Sequence, residues 1–439
     1  MSRKIFVTGS TCLLVLLLIA LTRTADAITA FARKYKTSCA TCHVGFPKLT
    51  PFGEAFRMNG FQYPSGDAEM AKDEPVSMGA EAYKRVWPNA IWPGAIPGDI
   101  PLSFRAKTGF TYEPHEIPEL TTFRPPTLQI MSGGTLGENV SFFVGAHLFE
   151  EGEPGSIDRF YLKLDNLFTP ILPDKILYFR IGQFIPEVVP FASNHRGLTI
   201  TPYAFNTYDL SLGSRFASEH IHGSGPFGIE GFQLGAEASG IIAGRNRYVL
   251  GIVNGSGTLV DNNYAKDGYL RLAHKFGGMD YTGEWPDDIQ PYGGTGKNWF
   301  EKSFTIGVFG YNGAKDNKGT VGEEDLQFYR IGSDIDLALG NLNVYGGYIY
   351  GSDERIFNGI QTRQDYSLYF AEGNYVICPW LIGVLRYEQA NPQSYEQIRQ
   401  LVPGITALYR ANIKWILEAP INPVTGELNT VMLGLDFGF

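Results

Sequence analysis

An alternation of apolar and polar residues with a period of two runs from Leu102 to Phe439, and it constrains the fold more than any other feature. In its first stretch, Leu102 and Phe104 face one way while Arg105 and Lys107 face the other. The alternating stretches are about ten residues long, and clusters of Gly, Pro, Asn and Asp separate them. The pattern predicts sixteen β-strands. They begin at or near Leu102, Thr127, Val140, Arg159, Lys175, Gly231, Arg247, Tyr269, Ser303, Tyr329, Asn341, Asp365, Trp380, Gln397, Asn412 and Val431.

Two architectures fit this alternation: a soluble sandwich with an apolar interior, and a membrane barrel with an apolar exterior and a polar lumen. Length favours the barrel, because sixteen strands exceed one sandwich but are a standard porin size. The polar face also carries charges that suit a watery lumen: Arg105, Lys107, Arg271, Lys275, Arg330 and Asp334. We therefore expect an all-β fold, a 16-stranded transmembrane outer-membrane β-barrel with a small N-terminal α-helical module.

The connections between strands alternate between short and long, as periplasmic turns and outer loops do. The short ones include 136–139, 338–341 and 378–379. The long ones include 185–227, 312–324 and 351–364. An even number of strands returns the chain to its starting side, so Phe439 and the N-terminal module should share the periplasmic side. The connection 277–302 breaks the alternation, because it is long on the side of the short turns.

The composition agrees with a large β-protein. Glycine accounts for 52 of the 439 residues, and charged residues make up 18%, below the ~25% of ordinary soluble domains. The chain is too apolar and aromatic to be disordered, and it has too few cysteines for a disulfide scaffold. With a net charge of −9 it is not basic enough to favour nucleic acid. The expected surroundings are outer-membrane lipid, with no nucleic acid partner.

Residues 1–27 have the features of a secretory signal peptide. Arg3 and Lys4 precede an apolar segment, 11–21, and a small-x-small cleavage signal lies at 25–27. The apolar segment is shorter than the ~20 residues that span a bilayer, which argues against a transmembrane anchor. We therefore expect the chain to be exported.

The segment Cys39-Ala40-Thr41-Cys42-His43 has the C-x-x-C-H pattern of c-type haem attachment. Each thiol would add to one haem vinyl group, and the spacing puts both thiols on one face of a helical turn. His43 would then be the proximal iron ligand. Two other sites use cysteines at this spacing. A redox-active disulfide typically lies in a βαβ context, which is absent here, and a zinc site needs two more ligands nearby. The motif therefore predicts one covalent haem c.

The residues after this motif predict a second short helix. Thr50 and Pro51 suit its N-cap and first position, and Asn59-Gly60 suits a left-handed end. Thr37 or Ser38 can cap the helix that carries the two cysteines. The second helix has an apolar stripe formed by Phe52, Ala55 and Phe56.

The distal side of the iron is less constrained by the sequence. Met58 is a candidate distal ligand, and the alternative is that its side chain only fills a gap in the small core. Met70, Met78, a histidine from elsewhere and five-coordinate iron remain open.

The chain divides into three parts. A signal peptide, 1–27, is followed by a monohaem cytochrome c module and a connector rich in Pro and Trp, 28–100. The porin-like outer-membrane β-barrel occupies 101–439. Proline at the density found in the connector resists helix and sheet. The haem module directly precedes the first strand, so it could plug the lumen from below.

The segments 31–43, 46–53 and 59–61 together resemble the outer-membrane monohaem cytochrome–porin fusions. Iron-oxidising bacteria use such proteins to take electrons from extracellular Fe(II). The resemblance in motif covers about forty residues, and over the barrel it is architectural. It implies haem attachment at Cys39, Cys42 and His43, and it does not extend to Met58. It implies electron transfer across the outer membrane more firmly than Fe(II) oxidase activity.

Other residues with chemical potential lie in the barrel region. The long outer loop contains His195, Glu219, His220 and His222. These side chains could hold a metal ion, or the loop could be merely solvated. His147 falls on the lumen face of the third strand, where it either approaches the haem or lines the lumen. Cys378 is expected to be an unpaired thiol.

Three functions follow from these features. The first is a conduit that passes electrons between an extracellular metal ion or other redox donor or acceptor and periplasmic c-type cytochromes or other electron carriers. The second is a diffusion channel with an accessory haem plug, and the third is outward electron transfer to extracellular metals. All three place the chain in the outer membrane, with the haem module on the periplasmic side or in the lumen.

Overall fold

The structure is a computed structural model that describes most of the chain. The described residues are 30–64, 66–71, 76, 81–91, 96–98, 100–115, 118–137, 139–168, 171–188, 190, 196–209, 214–215, 231–255, 264–285, 297–315, 326–357, 360–393 and 397–438. The predictions outside them concern the signal peptide, Met78, His195, Glu219, His220, His222 and Phe439.

Short helices make up the N-terminal part. They are α1 (Ala30–Tyr35), α2 (Cys39–Cys42), α3 (Pro51–Met58), α4 (Asp67–Met70) and α5 (Glu81–Val86). Between α2 and α3, His43–Gly45 pairs with Lys48–Leu49 in a small antiparallel hairpin. The helix α5 was not predicted from the sequence, and it occupies a stretch without proline. Within the described part of the chain, no helix is long and apolar enough to cross a membrane.

Sixteen antiparallel strands among the described residues close into a barrel. They are β1 (Leu102–Glu113), β2 (Leu120–Thr135), β3 (Val140–Glu150), β4 (Ile157–Leu164), β5 (Tyr178–Phe184), β6 (Gln233–Ile242), β7 (Asn246–Val253), β8 (Asp267–Gly277), β9 (Glu301–Lys315), β10 (Leu326–Gly340), β11 (Leu342–Phe357), β12 (Ile360–Cys378), β13 (Leu381–Pro392), β14 (Ile398–Arg410), β15 (Ile413–Glu418) and β16 (Val431–Gly438). Glu153–Pro154 pairs with the end of β3 and leads into β4. Pairing of β16 with β1 closes the ring, which confirms the predicted fold class.

The two ends of the barrel differ in their connections. The turn end carries Leu102, Gly438 and short connections such as the one between Gly340 and Leu342. The opposite end, the loop end, carries the connection between β5 and β6. Because Gly438 pairs with Arg105, the chain finishes at the end where the barrel began, as the even strand number predicts.

The prediction of an outer loop at 351–364 is wrong. Here β11 and β12 form a long hairpin in which Ser352 pairs with Asp365 and Phe357 pairs with Ile360. Likewise β2 begins at Leu120 rather than Thr127. Both segments are polar or contain proline, so neither shows apolar alternation, and backbone pairing with the neighbouring strand decides their conformation.

The barrel is apolar outside and polar inside. In β10, Ile331 and Ile335 are 58% and 45% exposed, whereas Arg330 and Asp334 are 1% and 3% exposed. The inward charges meet partners directly, as Arg271 does with Asp334. The lumen along these strands is therefore packed with ion pairs, whereas the sequence predicted a watery lumen.

Part of the connection between β5 and β6 folds back into the lumen, although the sequence predicted an outer loop. We call its residues 196–209 the lumen loop, which includes α6 (Ala204–Thr207). Leu198, Tyr203 and Phe205 are almost fully buried there. The Oη atoms of Tyr203 and Tyr345 are 2.7 Å apart. Burial of these apolar side chains favours the inward position over an exposed one.

Candidate functional site

The helix α2 brings the two motif cysteines to one cavity. Ser38 is its N-cap, and its Oγ accepts a hydrogen bond from Ala40 N at 3.2 Å, as predicted. Cys39, Cys42 and His43 all line a cavity of about 280 Å³, and neither cysteine forms a disulfide. The structure therefore assembles the three residues that the motif singled out.

The imidazole of His43 is held by the hairpin that follows α2. Its Nδ1 lies 3.2 Å from the carbonyl oxygen of Pro47, which can only accept, so Nδ1 carries the proton. This tautomer leaves the lone pair of Nε2 free for a metal ion. Burial lowers the pKa of His43 to about 4, so the ring is neutral at pH 7. A neutral imidazole with a fixed tautomer is the form that ligates iron.

The side chain of Cys42 is half-buried, next to the buried Cys39. Burial, with a smaller contribution from Cys39, raises the pKa of Cys42 to about 12. Its thiol is therefore protonated at neutral pH and is a poor nucleophile toward disulfides. This protonation state argues against a redox-exchange role for the pair.

The helix α3 packs directly on the backbone of the motif. Thr50 is its N-cap, with Oγ1 accepting from Gly53 N at 3.0 Å, and Thr50 N donates to Cys42 O at 2.9 Å. A Cβ atom at Gly53 would lie 2.1 Å from Cys42 O. Gly60 ends this region with a φ of 68°, the predicted left-handed conformation. Glycine at 53 is therefore required for the close approach of α3 to α2.

We expect Gly53→Ala to destabilise the N-terminal module by roughly 2 kcal/mol or more, because the new methyl group must push α3 away from Cys42. Gly373→Ala in the barrel is the matched control, since a Cβ there meets nothing within 4 Å. Limited proteolysis of the folded protein measures the difference. Equal protease resistance of the two variants would show that this contact does not hold the module together.

The cavity walls combine aromatic rings with positive charge. The rings include Phe31, Phe46, Phe52, Phe56, Phe61 and Phe143. The cations are Arg57, Arg105, Arg159, Lys163, Arg180 and Arg247, against two carboxylates, Glu187 and Glu237. The buried Nε atoms of Arg57, Arg159 and Arg180 have no hydrogen-bond partner among the described residues. An apolar plane that carries carboxylates suits such walls.

These residues fit a c-type haem. The two neighbouring thiols match its vinyl groups, and the free lone pair of Nε2 matches its iron. The apolar walls suit its flat ring, and the unsatisfied guanidinium donors suit its propionates. Cys39, Cys42 and His43 would hold the group, and the cations would face its carboxylates.

The module lies inside the turn end of the barrel. Ala30 N donates to Ser103 Oγ at 2.8 Å, and Lys163 Nζ donates to Met58 O at 2.7 Å. Across the lumen, Lys48 Nζ donates to Asn343 Oδ1 at 2.7 Å, and Lys414 Nζ donates to Phe46 O. Contacts with strands around the circumference therefore seat the module as a plug.

The described parts of the long connection, 277–285 and 297–302, contact this plug at the turn end. Met279 is buried in the aromatic cluster of the module, and Trp285 packs against it. Asn298 Nδ2 donates to Ala40 O. Its length, which breaks the alternation of short and long connections, is explained by these contacts with the module.

The remaining predicted residues are placed as follows. Met58 lines the cavity, as does Met131 of β2, which sequence reasoning missed although it occupies a lumen-facing position. His147 pairs with Glu150 at 3.2 Å and does not line this cavity. Cys378 is an unpaired thiol at the end of β12. Among the described residues, no group of three or more His, Cys, Asp or Glu side chains could hold a metal ion.

Comparison with solved structures relates the barrel to porins. An anion-selective porin from Comamonas acidovorans superposes with a TM-score of 0.54 and 12% identity, covering 78% of this chain and 99% of that one. OmpT of Vibrio cholerae matches with a TM-score of 0.48 and 10% identity, over 78% and 99% of the two chains. OmpF of Salmonella typhi in complex with daunomycin matches with a TM-score of 0.43 and 10% identity, covering 77% of this chain and 97% of that one. The first likeness supports a porin-like fold.

Comparison by sequence gives no further relatives. No protein-family model matches the chain, and no curated protein matches it.

Proposed function

We propose that this porin-like barrel carries one haem c, bound through Cys39 and Cys42 with His43 as proximal ligand, and transfers single electrons across the outer membrane. The observation that carries the proposal is the position of all three residues on one cavity enclosed by the barrel wall. When bound, the haem supplies one-electron redox chemistry. Met58 and Met131 are the methionines that line the cavity, and either is a candidate distal ligand.

The chain's own residues have three tasks in this proposal. His43 is held by Pro47 O, so its Nε2 keeps one orientation. The aromatic walls exclude water, which limits the reorganisation that accompanies a change of charge. Arg159 and Arg180 offer donors to carboxylates on the bound group.

The position of the plug defines the expected partners. Because short turns of such barrels face the periplasm, we assign the turn end, which holds the module, to the periplasm, where c-type cytochromes or other electron carriers would approach it. The loop end faces outside and would meet an extracellular donor or acceptor. Fe(II) oxidation is the version implied by the resemblance in the haem motif.

A diffusion channel is the second candidate function. The fold likeness to an anion-selective porin favours it, and in that case the haem module would serve only as a plug. Transfer of electrons outward to metals is a third version of the same machinery. Redox access from the two sides of the membrane separates the first two candidates.

In vesicles that contain only this protein, we expect the haem to be oxidised by an oxidised blue-copper protein added at the loop end, because this oxidant is too large to diffuse through a porin lumen. The physical reason is that the cavity lies within the lumen, so part of the membrane thickness is already bridged. Absorbance of the reduced haem measures the reaction. Response only to reagent at the turn end would contradict the conduit and leave the diffusion channel. A potential far below the Fe(III)/Fe(II) couple would count against iron oxidation.

A further inference from the structure

A second cavity, of about 290 Å³, adjoins the haem-motif cavity and reaches the loop end. We call it the upper cavity. The two cavities share Arg105, Gln129 and Arg159 as lining residues. The upper cavity also reaches Glu151, in the turn that follows β3 at the loop end. It therefore occupies the side of the lumen from which an external solute would enter.

Charged side chains line the upper cavity with a small positive excess. The cations are Arg105, Lys107, Arg124, Arg159 and Lys414. The carboxylates are Glu150, Glu151, Asp158 and Asp436. His147 adds a further nitrogen group. A ligand can pair only with those charges that are not already engaged by a neighbouring side chain.

The carboxylate of Asp436 is fully engaged. Arg105 binds it with two parallel bonds, Nε to Oδ1 at 2.9 Å and Nη2 to Oδ2 at 2.6 Å. Lys414 Nζ lies 3.2 Å from the same Oδ2. Arg105, Lys414 and Asp436 together therefore carry one net positive charge.

The other carboxylates also have partners. Glu151 accepts from Arg124 at 2.8 Å, and Glu150 lies 3.2 Å from His147. Asp158 accepts from the Nε2 of Gln129 at 2.9 Å and lies 3.5 Å from Arg159. No carboxylate that lines the upper cavity is left without such a contact.

Lys107 differs from these residues because it makes no ion pair or hydrogen bond with any described residue, and it is exposed within the lumen. It follows Arg105 by two positions on β1, so both side chains point to the same face. Its amino group therefore presents unused hydrogen-bond donors to the cavity, beside the surplus positive charge of Arg105 and Lys414.

We propose that the upper cavity binds a small oxyanion with two or more negative charges, of the carboxylate or phosphate class, and that Lys107 is its principal contact. Such an anion gains charge-assisted hydrogen bonds from Lys107. A bare metal cation would instead meet the like charge of Lys107. The site is separate from the three haem-motif residues, so it goes beyond the proposed electron transfer and holds for either function of the barrel.

Calorimetric titration of the full chain in detergent with citrate, and separately with inorganic phosphate, tests this site. We expect at least one of them to bind, and Lys107→Gln to weaken that binding about tenfold or more. Lys107→Arg should retain most of it. Lys266→Gln is the matched control, because it removes the same charge from an exposed position at the loop end.

The two probes distinguish the sources of the anion. Binding of citrate with little binding of phosphate identifies a carboxylate site, and the reverse identifies a phosphate site. The proposal is overturned if neither anion binds more tightly than about 1 mM, or if Lys107→Gln binds as the parent does.

Discussion

The double variant Cys39→Ser, Cys42→Ser is expected to contain no covalently bound haem while its barrel still folds. Serine hydroxyls do not form the thioether bonds that fix the porphyrin, and both thiols line the cavity that would hold it. The expected effect is complete, from one haem per chain to none. A haem stain after denaturing electrophoresis measures it, because only covalently attached haem survives denaturation.

Cys378→Ser is the matched control for this loss. Cys378 is also an unpaired thiol, but it lies at the end of β12 and does not line the cavity. The control should stain as strongly as the parent protein. Retention of the stain in the double variant, or its absence from the parent, would refute haem attachment at this motif. Heat-dependent migration on the gel reports separately whether the barrel is folded.

The barrel could be predicted from the sequence because its signal is local. Alternation with a period of two depends only on which side of a strand meets lipid, and it repeats in every strand. The strand that begins at Val431 was predicted without knowledge of its partner. The caps at Ser38 and Thr50 were also predictable, since a cap involves residues within one helical turn.

The contents of the lumen could not be predicted in the same way. The lumen loop folds inward because Leu198 and Tyr203 find apolar and hydrogen-bonding partners on distant strands. The cationic wall of the haem-motif cavity likewise collects Arg57, Arg159 and Arg180 from separate parts of the chain. No periodicity links such residues. The motif identified the three haem residues, but not the groups that would surround the haem.

One buried arginine binds the lumen loop at two points. Arg386 of β13 is fully buried, and its Nη1 and Nη2 donate to Thr199 Oγ1 at 3.0 Å and to Thr201 O at 2.8 Å. It also lies 3.7 Å from Glu372 and 3.3 Å from Glu388, both of which are buried. One guanidinium group therefore ties the loop to the wall and shares its positive charge between two carboxylates.

We expect Arg386→Met to lower the free energy of unfolding by about 3–5 kcal/mol, because it leaves two buried carboxylates without their cation. The loop, which loses these two hydrogen bonds to the wall, should also leave the lumen more often, so ion conductance across a planar bilayer should rise. Arg363→Met is the matched control. Arg363 is 53% exposed and pairs with Glu354 at 2.8 Å, an arrangement whose loss costs roughly 0–1 kcal/mol. Urea unfolding in detergent measures both variants. Similar losses in the two would mean that the lumen loop is not held by Arg386, and unchanged conductance would mean that the loop does not close the barrel.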